Sequence, residues 1–329
     1  MRQPQPMAEL WRGGIVESVH RGHAVICDGA GVVQAWGDPD AVIFPRSSCK
    51  MVQALPLIES GAGAGLSQKQ LALACASHQG AALHTGHVAR WLADLGLGEA
   101  DLRCGTHEPY DHDERNRLIR AGELPCQLHN NCSGKHAAFL MLNRHMKGGP
   151  EYVDPAHPLQ VAIRQSFEEV TGEPSPGIGI DGCSAPNFAT TVTGLARAMA
   201  AFAGATGTGD ARDRAMFALT RAMAAYPELV AGEGRSCTEL MRAMAGRVAV
   251  KTGAEAVFVA IVPERRIGIA LKITDGGTRA AEAAIAALLV RLGVLDAGHP
   301  ATLRRLNAVQ RNWRGFETGI LRPAPGFPA

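Results

Sequence analysis

Runs of strand-forming residues lie at the two ends of this chain, and the region between them is patterned for helices. Near the N-terminus, residues 24–27 and 32–36 flank a glycine-containing turn and are typical of a β-hairpin. After residue 246, three apolar runs separated by turn residues predict an antiparallel meander, at 247–251, 256–262 and 267–273. Strands so far apart in the chain can bury their apolar faces if they share one sheet. We therefore predict an α+β (mixed α/β) fold, with an antiparallel sheet formed from both chain ends and a helical middle layer.

The middle of the chain carries helical patterns and few strand signals. Predicted helices cover residues 51–60, 68–76, 85–95, 113–121, 134–146, 159–171, 191–202 and 212–224. Two more follow the meander, at 279–292 and 304–312. No internal repeat and no low-complexity linker interrupts the sequence. These features predict one domain over residues 1–329, with a helix-rich middle at about 60–245 and C-terminal strands and a helix at about 246–293.

Composition excludes several classes of function. The 33 basic and 31 acidic residues give a net charge of +2 without a long run of one sign, which argues against nucleic acid and anionic membranes as partners. No apolar stretch reaches the roughly 18 residues of a membrane-spanning helix. Residues 1–12 are polar and lack the apolar centre of a signal peptide, so we expect a cytoplasmic protein. In that reducing compartment the eight cysteines, which form no C-x-x-C pair, are expected to be free thiols.

The first candidate for chemistry is Ser47-Ser48-Cys49-Lys50, which leads into a predicted helix. Positions three apart share a helix face, so the Ser47 hydroxyl and the Lys50 amine can meet. Serine needs a base to become a nucleophile, and a desolvated lysine can serve as that base. The competing interpretation is that Ser47 caps the helix and Lys50 is solvated. That interpretation would prevail if this common motif stood alone.

A second motif, Lys251-Thr252-Gly253, ends a predicted strand of the C-terminal meander. Serine β-lactamases and penicillin-binding proteins combine S-x-x-K at a helix start with K-T-G on an edge strand, and the order of the two motifs here resembles that arrangement. Their S-D-N element is not evident in this sequence. Together the two motifs indicate an acyl-transfer site built on serine.

Three further segments combine side chains of catalytic or metal-binding type. Ser77 begins a Ser-His-Gln-Gly turn, where it either presents a hydroxyl for chemistry or simply caps the preceding helix. His129–His136 opens a predicted helix, and residues 180–186 form a sharp turn after a strand. Cys132 and Cys183 could bind zinc if these two loops were adjacent. From spacing alone, however, two cysteines so far apart are more often unrelated.

At these residues the chain resembles the Rhizobium etli-type asparaginase family, also called the asparaginase II or thermolabile asparaginase family. The matching stretches run from near the N-terminus to beyond residue 250, and they are Arg12–Ser18, Arg46–Lys50, Ser77–Gly80, Cys104–His107, His129–His136, Asp181–Cys183 and Lys251–Glu255. The block His-Asn-Asn-Cys-Ser-Gly-Lys-His is specific, and chance co-occurrence of all seven stretches is implausible.

The resemblance implies an L-asparaginase with a fold similar to that of the serine β-lactamases, and a homodimer. It implies two catalytic Ser–Lys pairs, which are Ser47 with Lys50 and Ser77 with Lys251. It also implies a zinc ion that assists substrate binding rather than the hydrolysis itself, with the ligands Cys132, Lys135 and Cys183.

A lysine that binds zinc has to be neutral, so zinc binding should weaken as pH falls. The alternative is that Cys132 and Cys183 are buried thiols and that Lys135 binds substrate or pairs with Asp181. The zwitterionic substrate needs one partner for its carboxylate and one for its ammonium group, and Arg can form a two-pronged contact with a carboxylate. We assign substrate binding to Arg46, His136 and Asp181.

The expected substrate is therefore L-asparagine, a small molecule hydrolysed through an acyl-enzyme on Ser47. A glutaminase is the closest rival, because one methylene is worth only roughly 1–3 kcal/mol of discrimination. A penicillin-interacting hydrolase or transpeptidase would require export, and residues 1–12 show no export signal. A non-catalytic amino-acid or zinc sensor of the same fold is the third alternative, which the intact Ser–Lys pairs disfavour.

Overall fold

The computed structural model describes residues 2–328 of the chain. Its strands, in chain order, are β1 (Gln5–Arg12), β2 (Ile15–Asp28), β3 (Gly31–Trp36), β4 (Val42–Ile43), β5 (Ile178–Ile180), β6 (Pro186–Phe188), β7 (Thr190–Thr191), β8 (Ala249–Gly253), β9 (Val257–Val262), β10 (Ile267–Ile273), β11 (Ala308–Arg311) and β12 (Glu317–Pro323). Its α-helices are α1 (Lys50–Gln53), α2 (Leu55–Glu59), α3 (Gln68–Ala74), α4 (Ala82–Asp94), α5 (His112–Ala121), α6 (Ser133–Met146), α7 (Pro158–Thr171), α8 (Val192–Gly204), α9 (Ala211–Ala225), α10 (Pro227–Val230), α11 (Ser236–Ala243), α12 (Thr278–Arg291) and α13 (Pro300–Leu303). None of the helices within these residues has the length and apolar character needed to cross a membrane.

Eight of the described strands form one antiparallel sheet. Its order is β11-β12-β1-β2-β10-β9-β8, with β3 paired to β2. The N-terminal strand β2 lies directly beside the C-terminal strand β10, in a register that places Ala24 opposite Leu271 and Cys27 opposite Gly268. The prediction of an antiparallel sheet formed from both chain ends is therefore confirmed.

Two compact units make up the chain, and each is discontinuous in sequence. The sheet unit consists of Met1–Ser48, Thr190–Gly204 and Glu239–Ala329 and contains the eight-stranded sheet. The helical unit consists of Cys49–Ala189 and Ala205–Thr238 and contains α1 to α7, α9 and α10. The middle of the chain is thus helical, as predicted. The single domain over residues 1–329 stays a prediction.

The core of the sheet unit is built around β9 and β10. All six residues of β9 are buried, and α8 and α12 both pack on β9 and β10. A strand covered on both faces is expected to be a continuous apolar run, and Val257–Val262 reads Val-Phe-Val-Ala-Ile-Val. At Gly268 of β10, a methyl group would overlap the α8 backbone at Ala196 and Ala200. The helix therefore rests directly on the strand.

The helical unit packs α3 against α6 and α9. Helix α3 begins with a capping box, in which the Ser67 hydroxyl accepts from Gln70 N and the Gln70 side chain accepts from Ser67 N. In α6, a Cβ atom on Gly134 would lie 2.6 Å from Leu73 O of α3. This glycine allows the two helix backbones to approach closely, which explains its place in the block His129–His136.

Two parts of the sheet differ from the sequence prediction. The prediction leaves out β1, whose residues Gln5–Arg12 include a proline, although β1 pairs with both β2 and β12. The helix predicted at 304–312 is wrong, because the chain forms only the short α13 before this region and then the strand β11. Val309 lies opposite Ile320, so pairing with β12 overrides the local helical pattern.

Candidate active site

Ser47 lies in a tight helical turn. The 3₁₀ helix that contains it continues directly into α1, so Ser47 and Lys50 occupy one helical segment, three positions apart. Arg46 has a φ of 53°, a left-handed conformation that costs a residue with a side chain roughly 1–3 kcal/mol. Ser48 is buried, and its backbone N–H and its hydroxyl donate to Pro45 O at 3.1 and 2.7 Å. Ser48 therefore holds the turn together, whereas Ser47 is only half-buried.

The K-T-G strand lies against this turn within the sheet unit. It belongs to β8, which is an edge strand of the sheet. A Cβ atom on Gly253 would lie 2.6 Å from Pro45 O and 3.1 Å from Ser48 N, so glycine is required for this close approach. Lys251 is fully buried, and its amine donates to Thr252 O at 2.7 Å. The structure thus brings the K-T-G motif and the serine segment of the S-x-x-K motif together.

Lys50 is buried in the helical unit, where it is 1 % exposed. Its amine donates to Ala76 O and to Cys132 Sγ, the latter at 3.1 Å. Lysine side chains are almost never buried this completely unless they are paired. The alternative interpretation of Lys50 as a solvated surface residue is therefore wrong.

The loop that carries Ser77 is held by backbone hydrogen bonds to two other segments of the helical unit. Ser77 N donates to Val230 O at 2.8 Å, and His78 N donates to Asn131 O at 3.1 Å. The Ser77 Oγ atom is buried and makes no hydrogen bond within residues 2–328. Leaving a buried hydroxyl unpaired costs about 1–3 kcal/mol, so this is a group that a bound ligand would satisfy.

Cys132, Cys183 and Lys135 converge inside the helical unit. Lys135 donates to Cys183 Sγ at 3.1 Å, and Cys132 and Cys183 are close neighbours. The interaction with Cys132 and the charge of Lys135 lower the pKa of Cys183 well below its ordinary value, against the effect of burial. The interaction with Cys183, together with burial, raises the pKa of Cys132 well above its ordinary value. These opposite shifts favour a thiolate at Cys183 and a thiol at Cys132.

Lys135 is the cationic partner of the Cys183 sulfur. Burial alone would lower the pKa of Lys135, but its electrostatic interaction with the two cysteine sulfurs, and with Cys183 above all, outweighs burial and raises the pKa above its ordinary value. The donor set fits zinc, because two sulfur ligands and an amine already lie together and the surroundings of Cys183 favour its thiolate. Among residues 2–328, no three His, Cys, Asp or Glu side chains are grouped as a metal site. The predicted zinc ligands are two cysteines and a lysine, so they do not form such a group. Zinc binding stays a prediction.

The three side chains assigned to substrate binding lie in different places. His136 of α6 is fully buried, and its Nδ1 is hydrogen-bonded to Tyr152 OH at 2.9 Å. Its Nε2 is near Cys183 but lacks the geometry of a hydrogen bond to any described residue. Asp181 begins the turn that carries Cys183. Both His136 and Asp181 belong to the helical unit, whereas Arg46 belongs to the sheet unit.

Asn130 and Tyr152 support the site, although the sequence prediction gives neither of them a role. The Asn130 amide donates to the carbonyls of residues 104–105 at 2.8 and 3.0 Å, and its oxygen accepts from Cys132 N at 2.9 Å. It therefore fixes the loop that carries Cys132. Tyr152 orients the His136 ring through the hydrogen bond described above. The available signal for Asn130 is its place in the specific sequence block, whereas no motif surrounds Tyr152.

Comparison with known proteins places the chain in a family. No curated protein sequence is significantly similar to it. Among solved structures, it is similar to a protein named Mglu in its native form, with 14% identity over 89% of this chain and 69% of that chain and a TM-score of 0.45. It is also similar to a β-lactamase from Mycobacterium bovis, with 14% identity over 83% of this chain and 95% of that chain and a TM-score of 0.47. The L-asparaginase II family matches residues 8–323, which include every segment of the candidate site, and the chain therefore belongs to the L-asparaginase II family.

Proposed function

We propose that this chain is an L-asparaginase, which hydrolyses the side-chain amide of L-asparagine to L-aspartate and ammonia. Its family supports an amidohydrolase. The observation that carries the proposal is the burial of Lys50 and Lys251, which are 1 % and 0 % exposed. Each of these lysines belongs to a motif of serine acyl-transfer enzymes, where a desolvated lysine acts on protons.

Ser47 is the nucleophile of the proposed reaction, and Lys50 is its base. Lys50 takes the hydroxyl proton, the Ser47 oxygen attacks the amide carbon, and the C–N bond breaks to release ammonia. The ammonia leaves with a proton returned by Lys50 or by the second Ser–Lys pair. Water then hydrolyses the aspartyl ester and frees Ser47. Two observations support this choice of serine. Ser47 is half-buried, whereas the hydroxyl of its neighbour Ser48 is engaged in a hydrogen bond to Pro45 O.

Ser77 and Lys251 form the second proposed pair, which moves protons to and from the leaving group. The Ser77 hydroxyl makes no hydrogen bond within residues 2–328, so it can both donate to and accept from a reacting group. The Lys251 amine is held in place by Thr252 O. The two Ser–Lys pairs would supply separate groups for activating the nucleophile and protonating the ammonia.

Arg46, His136 and Asp181 are the proposed contacts for the substrate. Arg46 would hold the α-carboxylate in a two-pronged contact, and Asp181 would hold the α-ammonium group. His136 offers a buried Nε2 that makes no hydrogen bond to the described residues, so a polar group of the substrate would satisfy it.

Zinc is part of the proposal as a supporting ion. Cys132, Lys135 and Cys183 would hold it, and it would supply positive charge that favours binding of an anionic substrate group. Because Lys135 must lose its proton to bind the metal, zinc affinity should fall as pH falls. The zinc content of purified protein, measured by atomic absorption, tests this point without any reference to turnover.

A homodimer in the cytoplasm, with no nucleic acid or membrane as partner, completes the proposal. The family resemblance supports the dimer. Light scattering should give twice the chain mass of 34.6 kDa. A solution mass equal to that of one chain would contradict the dimer.

The decisive experiment is ammonia release from L-asparagine and from L-glutamine, measured side by side. Wild type is compared with Ser47→Ala and with Ser60→Ala, a control at an exposed serine. We expect asparagine turnover that is lost in Ser47→Ala and kept in Ser60→Ala. A preference for glutamine would change the assignment to a glutaminase. No turnover of either amide by folded, zinc-loaded protein would reject the enzyme and favour the sensor.

A further inference from the structure

Cys126, His129 and Glu114 form a hydrogen-bonded row in the helical unit, separate from the proposed catalytic and zinc-binding residues. Cys126 Sγ lies 3.4 Å from His129 Nδ1, and His129 Nε2 lies 3.3 Å from Glu114 Oε1. A cysteine nucleophile is activated by an adjacent base that a third group orients. The thiol, the imidazole and the carboxylate of this row follow that order.

The ring hydrogen of His129 lies on the nitrogen that faces Glu114. Cys126 N donates to His129 Nδ1 at 3.0 Å, so Nδ1 carries a lone pair and Nε2 carries the hydrogen. The Glu114 carboxylate accepts from Nε2 and fixes the orientation of the ring. The nitrogen nearest the thiol therefore carries the lone pair of the ring, which accepts from Cys126 N at rest and gives up that hydrogen bond when it takes the thiol proton.

Glu114 is held as a carboxylate. It is 6 % exposed, and Arg117 donates to both of its oxygens at 2.9 to 3.1 Å. These hydrogen bonds lower the pKa of Glu114, although burial opposes them. A buried anion on the far side of His129 stabilises the imidazolium that forms when the ring takes a proton from Cys126.

Cys126 is also the cysteine that reagents can reach. It is half-buried, whereas the other seven cysteines are buried. It closely follows the exposed residues 119–124, in which Leu124 is 87 % exposed. The contacts between Cys126 and His129 also cap a short 3₁₀ helix, so a purely structural role is the alternative. Chemical reactivity separates the two roles.

We propose that Cys126 is a modification site, which forms mixed disulfides with small-molecule disulfides such as oxidised glutathione. His129 accepts the thiol proton, and the Cys126 sulfur attacks one sulfur of the small disulfide. A new S–S bond forms to Cys126, the original S–S bond breaks, and the leaving thiolate takes the proton from His129. The small disulfide is the oxidant, and half of it is released as a thiol.

Two probes test this site on the full-length protein. After brief exposure to oxidised glutathione, peptide mass spectrometry should find one glutathionyl group on Cys126, which dithiothreitol removes and which Cys126→Ser does not form. With iodoacetamide, Cys126 should react at least about tenfold faster than the thiol of free reduced glutathione at the same pH, despite its partial burial. A rate no higher than that of free glutathione, or an adduct only on other cysteines, would overturn the proposal.

Variants separate the row from mere exposure of the thiol. His129→Asn keeps an acceptor for Cys126 N but removes the base, so the iodoacetamide rate of Cys126 should fall by about tenfold or more. Glu114→Gln keeps an acceptor for His129 and removes the negative charge, so the iodoacetamide rate of Cys126 should fall by less than in His129→Asn. It replaces His129→Asn as the test if that variant does not fold. Arg120→Gln, an exposed change on the same helix as Glu114, should leave the rate unchanged. If Cys126 reacts with iodoacetamide at the wild-type rate in both His129→Asn and Glu114→Gln, exposure alone makes the thiol reactive.

Discussion

Lys50 Nζ donates a hydrogen bond to Cys132 Sγ at 3.1 Å, which joins the proposed catalytic base to a proposed zinc ligand. Lys135 makes the corresponding contact with Cys183, also at 3.1 Å. Each sulfur of the pair therefore has its own lysine partner inside the helical unit. Any change of charge on the cysteine pair also changes the environment of Lys50, so metal binding and catalysis should be coupled.

Serine substitutions at the two cysteines should separate these effects. Cys183→Ser should remove stoichiometric zinc but leave the contact between Lys50 and Cys132. Cys132→Ser should remove zinc and also lower the turnover of the metal-free protein by about tenfold or more, because the shorter serine side chain withdraws the acceptor that positions Lys50. Zinc content and ammonia release after treatment with a chelator are the two measurements. Equal metal-free turnover in the two variants would contradict the coupling.

Replacement of the buried lysines by methionine should remove activity at only a modest cost in stability. Lys50→Met and Lys251→Met keep most of the side-chain volume but remove the proton-transfer groups, so kcat/KM should fall by about 10²–10⁴-fold. Thermal midpoints should fall by only about a few degrees, because removal of a buried amine offsets part of the roughly 1–3 kcal/mol lost where its buried acceptors stay unpaired. The exposed Lys69→Met is the control and should match wild type in both measurements. Activity above half of wild type in Lys50→Met or Lys251→Met would remove that lysine from the mechanism.

Gly253→Ala should damage the turn that presents Ser47. The added Cβ would lie 2.6 Å from Pro45 O, so the K-T-G strand and the turn must separate, at a cost of about 1–3 kcal/mol in the free energy of unfolding. Turnover should fall by more than the fraction of unfolded protein explains, because the displaced segment carries the nucleophile. Gly86→Ala in α4, where the added Cβ meets nothing within 4 Å, should instead stabilise by about 0.5–1 kcal/mol. Urea unfolding and ammonia release on both variants test the difference.

The parts of the fold that depend on local pattern could be predicted from the sequence. Val257–Val262 and Ile267–Ile273 are apolar runs bounded by turn residues, so the meander was visible without a structure. β1 was not visible, because Gln5–Arg12 contains a proline and pairs with β12 near the other end of the chain. Pairing over such a distance is decided by tertiary contacts rather than by local propensity. The same reason explains the wrong helix at 304–312.

The candidate site also contains residues that local sequence spacing predicts and others that it does not. Ser47 and Lys50 are three positions apart, so helical geometry alone predicts that they share one segment. The spacing of Cys132 and Cys183 carries no such information, and only the family resemblance predicts that they belong to one site. Tyr152 could not be found at all, because its hydrogen bonds are made between segments that the fold brings together.

His78 is a buried base held in its neutral form. It is 0 % exposed, its Nδ1 accepts from Gly80 N at 3.2 Å, and its Nε2 is hydrogen-bonded to Ser133 Oγ at 3.0 Å. The ring stacks on His84, with centroids 4.7 Å apart and planes 8° apart. Burial, and then the neighbouring His84 and Lys50, lower the pKa of His78 well below its ordinary value. The unfolded chain therefore binds a proton at this residue more readily than the folded chain does.

The free energy of unfolding should consequently fall as pH drops below about 6.5, the ordinary pKa of histidine. The loss begins at the unfolded-state pKa and continues towards the lower folded-state pKa, with a limiting slope of about 1.4 kcal/mol per pH unit for one such residue. Urea unfolding between about pH 7 and pH 5 should give a shallower decline for His78→Asn than for wild type. The exposed-histidine control His145→Gln should follow wild type. Parallel declines in His78→Asn and wild type would mean that the folded protein takes up a proton at His78 as easily as the unfolded chain.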